Sequence, residues 1–290
     1  MDLLFVELLG YILFIFAGLM FGLFGSGGSI IMLPILIYLF KLPFEHAKIY
    51  SLFLIFLISC FGVLRHYKNN NLKISEVRFF IFPTLIFTAI SSFFIFPNIP
   101  SHIQFLNIEK QSFLMIIFGV VVFLSSVSLY REKFFSPTYH SKFFLILIGV
   151  FVGLLTGLLG IGGGFIIVPT LLIFANLDIK KAGAISLFMI MLNTLLAIIL
   201  SVHVLQNFEL HFFSQSFSQD WLNSNIIIQF GAGMAIPFAL DFIFYLFLSG
   251  LIGIIIGIRI LNQIDLSLTK KLFSITLMLL SLSIFCIELF

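Results

Sequence analysis

The chain has 290 residues, of which 61% are hydrophobic and 9% charged; soluble domains run at about 45–50% and about 25%. So little charge cannot cover a soluble fold of this length. Fifteen Lys and Arg against 12 Asp and Glu leave a net +3 with no basic run, which excludes nucleic-acid binding and disorder. The reading is an all-α polytopic membrane protein, with the lipid bilayer as its surroundings.

A crossing helix needs about 20 apolar residues. Hydrophobic blocks run at 3–40, 47–64, 79–97 and 112–130, then at 143–175, 182–205, 226–258 and 272–290. Hydropathy alone therefore counts eight spans. The blocks at 3–40 and 143–175 are too long for one crossing, and each is interrupted by glycines. Met1-Asp2-Leu3-Leu4 lacks the basic region and cleavage site of a secretory signal, so the first block is expected to stay in the mature protein. Cys60 and Cys286 are too few for a disulfide framework and read as buried apolar side chains.

The two long blocks repeat one another at an offset of 135 residues. Gly18-Leu19, Gly22-Leu23, Gly25, Gly27-Gly28 and Pro34 align with Gly153-Leu154, Gly157-Leu158, Gly160, Gly162-Gly163 and Pro169. The match continues through Ala47 and Ala182 to Ser51-Leu52-Phe53 and Ser186-Leu187-Phe188, with 16 identities in 39 ungapped positions. Apolar bias alone would match Leu and Ile, not aligned Gly, Pro, Ala and Ser. The chain reads as two homologous membrane repeats, 1–135 and 136–290.

Charge placement then orients them. If each half crosses, breaks at the glycines and crosses back, 12 of the 15 Lys and Arg share one side, and Lys41, Lys48 and Lys110 take the other. If the post-glycine segments re-enter instead, the split is 7 to 8, which is no bias. The positive-inside rule favours the first arrangement: five membrane segments per half, both termini outside, and two inverted repeats. The segments 29–40 and 164–175 hold 12 residues each, about 18 Å of helix. They cannot span alone, so either the glycine stretch lies inside the membrane or a dip in the protein surface admits water.

Each glycine costs about 1 kcal/mol in a helix interior relative to alanine, so the clusters Gly25-Ser26-Gly27-Gly28-Ser29 and Gly160-Ile161-Gly162-Gly163-Gly164 predict helix breaks. A broken backbone is tolerated at membrane depth only where protein or water satisfies it. The helix restarting after each break presents unpaired N–H groups and a positive dipole end. Two such starts facing one point are the construction by which secondary transporters hold a small anion. Packing alone is the competing role of glycines, and it is the expected one for Gly18/Gly22 and Gly149/Gly153/Gly157, whose four-residue spacing suits close helix approach.

The pattern G-x-G-G-[GS] followed by Pro, at Gly25 to Pro34 and Gly160 to Pro169, resembles the TauE/SafE sulfite exporter family, as does the glycine-spaced Ser249 to Gly257. The resemblance covers essentially the whole chain. It implies a small integral membrane transporter of sulfite, sulfonates or related organosulfur anions. The first half departs from the pattern after Pro83, with Thr84, Thr88, Ala89, Ser91 and Ser92 in place of glycines, and with Ser29 where the second half has Gly164.

Among polar residues within the blocks, Ser26 and Ser29 add hydroxyls to the first break, as anion donors or as local caps. Ser51 and Ser186 occupy equivalent positions and either line the site or bond a neighbouring carbonyl. Asn193, beside Thr194, lines a pathway or joins helices. Asp241 is the conspicuous ionisable group, suited to proton coupling or to an interface position beyond Pro237. Lys48, Arg65, Arg78 and Arg259 flank spans and are expected to snorkel.

No metal-ligand spacing, catalytic dyad or nucleotide motif occurs, and Phe24 breaks the protease-like G-x-S-G spacing around Ser26. The expectation is a non-enzyme without cofactor or metal. It is a multi-pass protein of a cell inner or plasma membrane, moving a small anionic substrate by alternating access, and compatible with a homo-oligomer. A channel or a membrane assembly scaffold without active transport is the alternative.

Overall fold

A computed structural model describes residues 3–25, 27–68, 78–103, 107–130, 142–160, 162–174, 177, 179–205, 227–230, 234–237, 240–261 and 266–289. Among them the chain forms ten helices, five from each half. The first five are α1 (Leu3–Phe24), α2 (Gly28–Pro34), α3 (Phe44–Lys68), α4 (Arg78–Ile90) and α5 (Lys110–Tyr130). The second five are α6 (Lys142–Leu159), α7 (Gly164–Phe174), α8 (Ile179–Leu205), α9 (Leu240–Leu261) and α10 (Leu266–Leu289). A π-helical turn, Ile35–Leu39, prolongs α2, and another, Ser91–Ile95, carries α4 into a last turn at Phe96–Asn98. Two short antiparallel pairs complete the described elements: β1 (His102–Ile103) with β2 (Ile108–Glu109), and β3 (Ile227–Phe230) with β4 (Met234–Pro237).

The architecture is that of an all-α polytopic membrane protein. Among the described residues seven helical segments are long and apolar enough to cross a membrane, while Gly28–Leu39 and Phe143–Leu159 are apolar but shorter. The count falls below the eight hydropathy blocks because the block at 143–175 is cut by its glycines into α6 and α7. The block at 226–258 is divided too. It opens as the β3–β4 hairpin and becomes helical at Leu240, after Pro237 has closed β4. Phe5, Leu8, Ile12 and Phe16 recur at helical spacing on the exposed face of α1, whereas Phe14, Ala17 and Phe21 are buried on the other; this exposed stripe suits lipid. Cys286, expected to be buried, is exposed on α10, and Cys60 is half-buried. Both are free thiols, and a small apolar group meets no penalty against acyl chains.

The most extensive helix contacts all join one half to the other: α1 with α9, α4 with α6, α5 with α10, and α3 with α8. Pairing the halves in order (α1 with α6, α3 with α8, α4 with α9, α5 with α10) exchanges the first two interfaces and maps the other two onto themselves. Glycines permit the closest of these contacts. A Cβ on Gly18 would strike the Gly250 carbonyl, and one on Gly22 would sit 2.8 Å from Gly257 Cα, so α1 and α9 meet backbone to backbone. The equivalent interface has glycines on α6 only. Gly149, Gly153 and Gly157 abut the carbonyls of Phe80, Thr84 and Thr88 on α4. The packing role expected of these glycines is the one they have.

Candidate functional site

Both glycine clusters end a helix in the same way. Gly25 N–H bonds the Phe21 carbonyl at 2.8 Å, and Gly160 N–H bonds that of Thr156 at 2.9 Å. Each glycine then turns left-handed, with φ of 72° at Gly25 and 71° at Gly160, a conformation that a side chain disfavours. The second break is the more unwound: Gly162 and Gly163 are also left-handed, whereas Gly27 is already helical as the N-cap of α2, with no side-chain capping bond. All of these glycines, with Gly28 and Gly164, are buried. The restarted helices α2 and α7 touch one another.

Each break is clasped by the third helix of the opposite half. A Cβ on Gly25 would collide with the backbone of Gly183 on α8, and one on Gly160 would collide with the side chain of Lys48 on α3. Ser51 Oγ, also on α3, donates to the Gly160 carbonyl at 3.0 Å, and Ser186 Oγ donates to that of Gly164 at 3.5 Å. Neither serine turns back on its own helix; both bond the second break, Ser51 from the opposite half and Ser186 from the same half. Around Gly162 lie Ile55, Ile190 and Thr194.

The remaining expected residues fall as follows. Ser29 is fully buried in α2. Gly27 abuts the ring of Phe273, which stacks on Phe24 with centroids 4.1 Å apart. Asn193 is fully buried, next to Thr194, and neither polar atom of its amide finds a partner among the described residues. Thr194 Oγ1 bonds back to the Ile190 carbonyl. Asp241 is the second residue of α9, and its side chain, like the whole of Ser26, lies outside the described residues.

One residue overturns its expectation. Arg65, Arg78 and Arg259 are exposed as span-flanking cations should be, but Lys48 is 1% exposed. Its Nζ donates to the Gly157 carbonyl at 2.8 Å, near the C-terminal end of α6, and lies 3.3 Å from the centroid of the Phe96 ring. The snorkelling reading fails because α3 begins four residues before Lys48, against the second break rather than at a free surface. The missed signal was in the repeat: Lys48 aligns with Gly183, a charge facing a glycine across two otherwise similar segments. The hydroxyls that replace glycines after Pro83 gather at the same place. Ser91 Oγ donates to the Leu154 carbonyl at 2.7 Å and Ser92 Oγ to that of Gly157 at 3.4 Å, while the buried hydroxyl of Thr88 has no partner among the described residues.

The family model described as "Sulfite exporter TauE/SafE" matches residues 11–284. A protein of Methanocaldococcus jannaschii described as a "probable membrane transporter protein" is 29% identical over 186 residues, covering 61% of this chain. The match spans 66% of that relative's length, just under two thirds. No solved structure matches the chain.

Proposed function

Because the chain belongs to the sulfite exporter TauE/SafE family, we propose that it is a secondary transporter. Its cargo is a small anion: sulfite, a sulfonate or a related organosulfur compound. The observation that carries this reading is the pair of buried breaks, at Gly25 and at Gly160, each held by the third helix of the other half. Helix starts at such breaks offer N–H groups and a positive dipole end to an anion inside the membrane.

The halves 1–135 and 136–290 are inverted repeats in this reading. The charge split, 12 against Lys41 and Lys110 once the buried Lys48 is set aside, and the five described helices of each half support that arrangement. Rocking of one half against the other exposes the central site to each side of a cell membrane in turn, driven by a proton or ion gradient. Asp241, in the first turn of α9, is the proposed proton-coupling group. Ser51, Ser186 and Asn193 line the site, with Ser26 and Ser29 at its first-half edge. The activity is transport rather than catalysis.

Counterflow in proteoliposomes tests this reading. Vesicles loaded with unlabelled sulfite or methanesulfonate should take up the labelled anion faster than empty lipid vesicles. Uptake equal to that of empty vesicles, for these anions and for sulfate and acetate alike, overturns it.

A further inference from the structure

The two breaks are alike in backbone and unlike in charge. At the first, the facing position on α3's counterpart helix is Gly183, and Ile58 stands where the second half has Asn193. At the second, the facing position is Lys48, whose stem lies along Gly160. We propose that Lys48 is the ammonium donor of the anion site, and that a singly charged oxyanion therefore seats on the second-half break, between Gly160 and Gly163, rather than midway between the two. The inference rests on the transporter reading above and deepens it.

Three observations carry it. First, the Lys48 ammonium is buried and no carboxylate lies within 4.0 Å of it among the described residues; Glu45 is taken by Lys110, at 3.1 Å. Its contacts are one carbonyl and one aromatic face. An ammonium offers three donors, so the Gly157 bond leaves it with capacity for an acceptor. A cation in a span with no direct ion-pair partner is costly and usually functional. A bound monoanion supplies the direct contact that Glu45, held by Lys110, does not.

Second, two residues with unpaired buried polar atoms stand on the helices packed against this break. Asn193 is the sequence neighbour of Thr194, whose methyl lies beside Gly162, and Thr88 belongs to the stretch of α4 whose main chain abuts Gly157. Both side chains are fully buried. Buried polar groups are ordinarily paired, and an oxyanion with several lone pairs can accept from both the amide NH₂ and the hydroxyl. Third, the adjoining stretch of α4 is π-helical at Ser91–Ile95. That irregularity is frequent at functional sites, and here it brings Ser91, Ser92 and Phe96 to the end of α6.

A purely structural Lys48 would cap the last carbonyls of α6 and do nothing more. Binding of methanesulfonate, sulfite, sulfate and acetate to the purified protein in detergent separates the two roles, using wild type, Lys48→Met, Lys48→Arg, Thr88→Val and Asn193→Leu. Loss of a charge-assisted hydrogen bond should weaken methanesulfonate binding about ten- to a hundredfold in Lys48→Met. Lys48→Arg should retain most of it. Thr88→Val and Asn193→Leu should bind more weakly while melting no lower than wild type, because each removes an unpaired buried group. These two variants decide the matter if Lys48→Met does not fold. Wild-type affinity in Lys48→Met, or in both Thr88→Val and Asn193→Leu, overturns the inference and leaves the transporter reading standing. Sulfate bound more tightly than methanesulfonate overturns the single-charge assignment. No anion bound by well-folded wild type overturns the central anion site and the role of Lys48 with it.

Discussion

Ser126 on α5 and Ser274 on α10 exchange identical hydrogen bonds. Each hydroxyl donates to the other residue's carbonyl oxygen at 2.9 Å. The exchange is symmetric in its two partners, and α5 and α10 are the closing described helices of the two halves. Hydrogen bonds between membrane helices contribute about 0.6 kcal/mol on average and up to about 1.7. Ser126→Ala and Ser274→Ala should therefore lower stability by similar amounts within that range. Thermal melts of the two variants in one detergent check this, and a loss confined to one of them contradicts the equivalence.

Backbone contact between α1 and α9 is the least forgiving interface. A Cβ on Gly253 would enter the space of the Ile15 carbonyl, which is main chain and cannot rotate away. Gly253→Val should leave little folded protein. Gly119→Ala meets only side-chain atoms, of Phe285 at 3.1 Å and of Ile284 at 3.4 Å, and should cost about 1 kcal/mol or less. Yield and monodispersity on size-exclusion chromatography distinguish the two. Equal behaviour would show that the helices are less tightly apposed than this.

The Glu45–Lys110 pair tests the isolation of Lys48. Its side chains are 33% and 13% exposed, and such pairs contribute about 0.2–1 kcal/mol. Glu45→Gln is expected to change the melting temperature little and to leave anion binding in place. Loss of binding would mean that Glu45, rather than a bound anion, holds the Lys48 charge.

The breaks and the packing glycines were legible in the sequence because glycine has few reasons to recur in register inside apolar segments. The aligned Gly25 and Gly160 do share one backbone conformation. Two features were not legible, for physical reasons. The stretch from Ile227 to Pro237 is as apolar as a helix, so hydropathy could not separate the hairpin from α9. Lys48 stands four residues into α3, where a lysine ordinarily reaches water; only the fold shows that the second break occupies that space. Ser51 and Ser186 were found by their repeat positions, while the partners of their hydroxyls, Gly160 and Gly164, needed coordinates.

Counterflow by Gly25→Ala and Gly160→Ala, side by side with wild type, is the most direct test that both breaks build one transport site. Each substitution places a methyl group at a left-handed position against the opposite half. Both variants, reconstituted as monodisperse protein, should lose sulfite or methanesulfonate exchange while wild type retains it. Wild-type exchange in either variant would contradict a site made from the two breaks together.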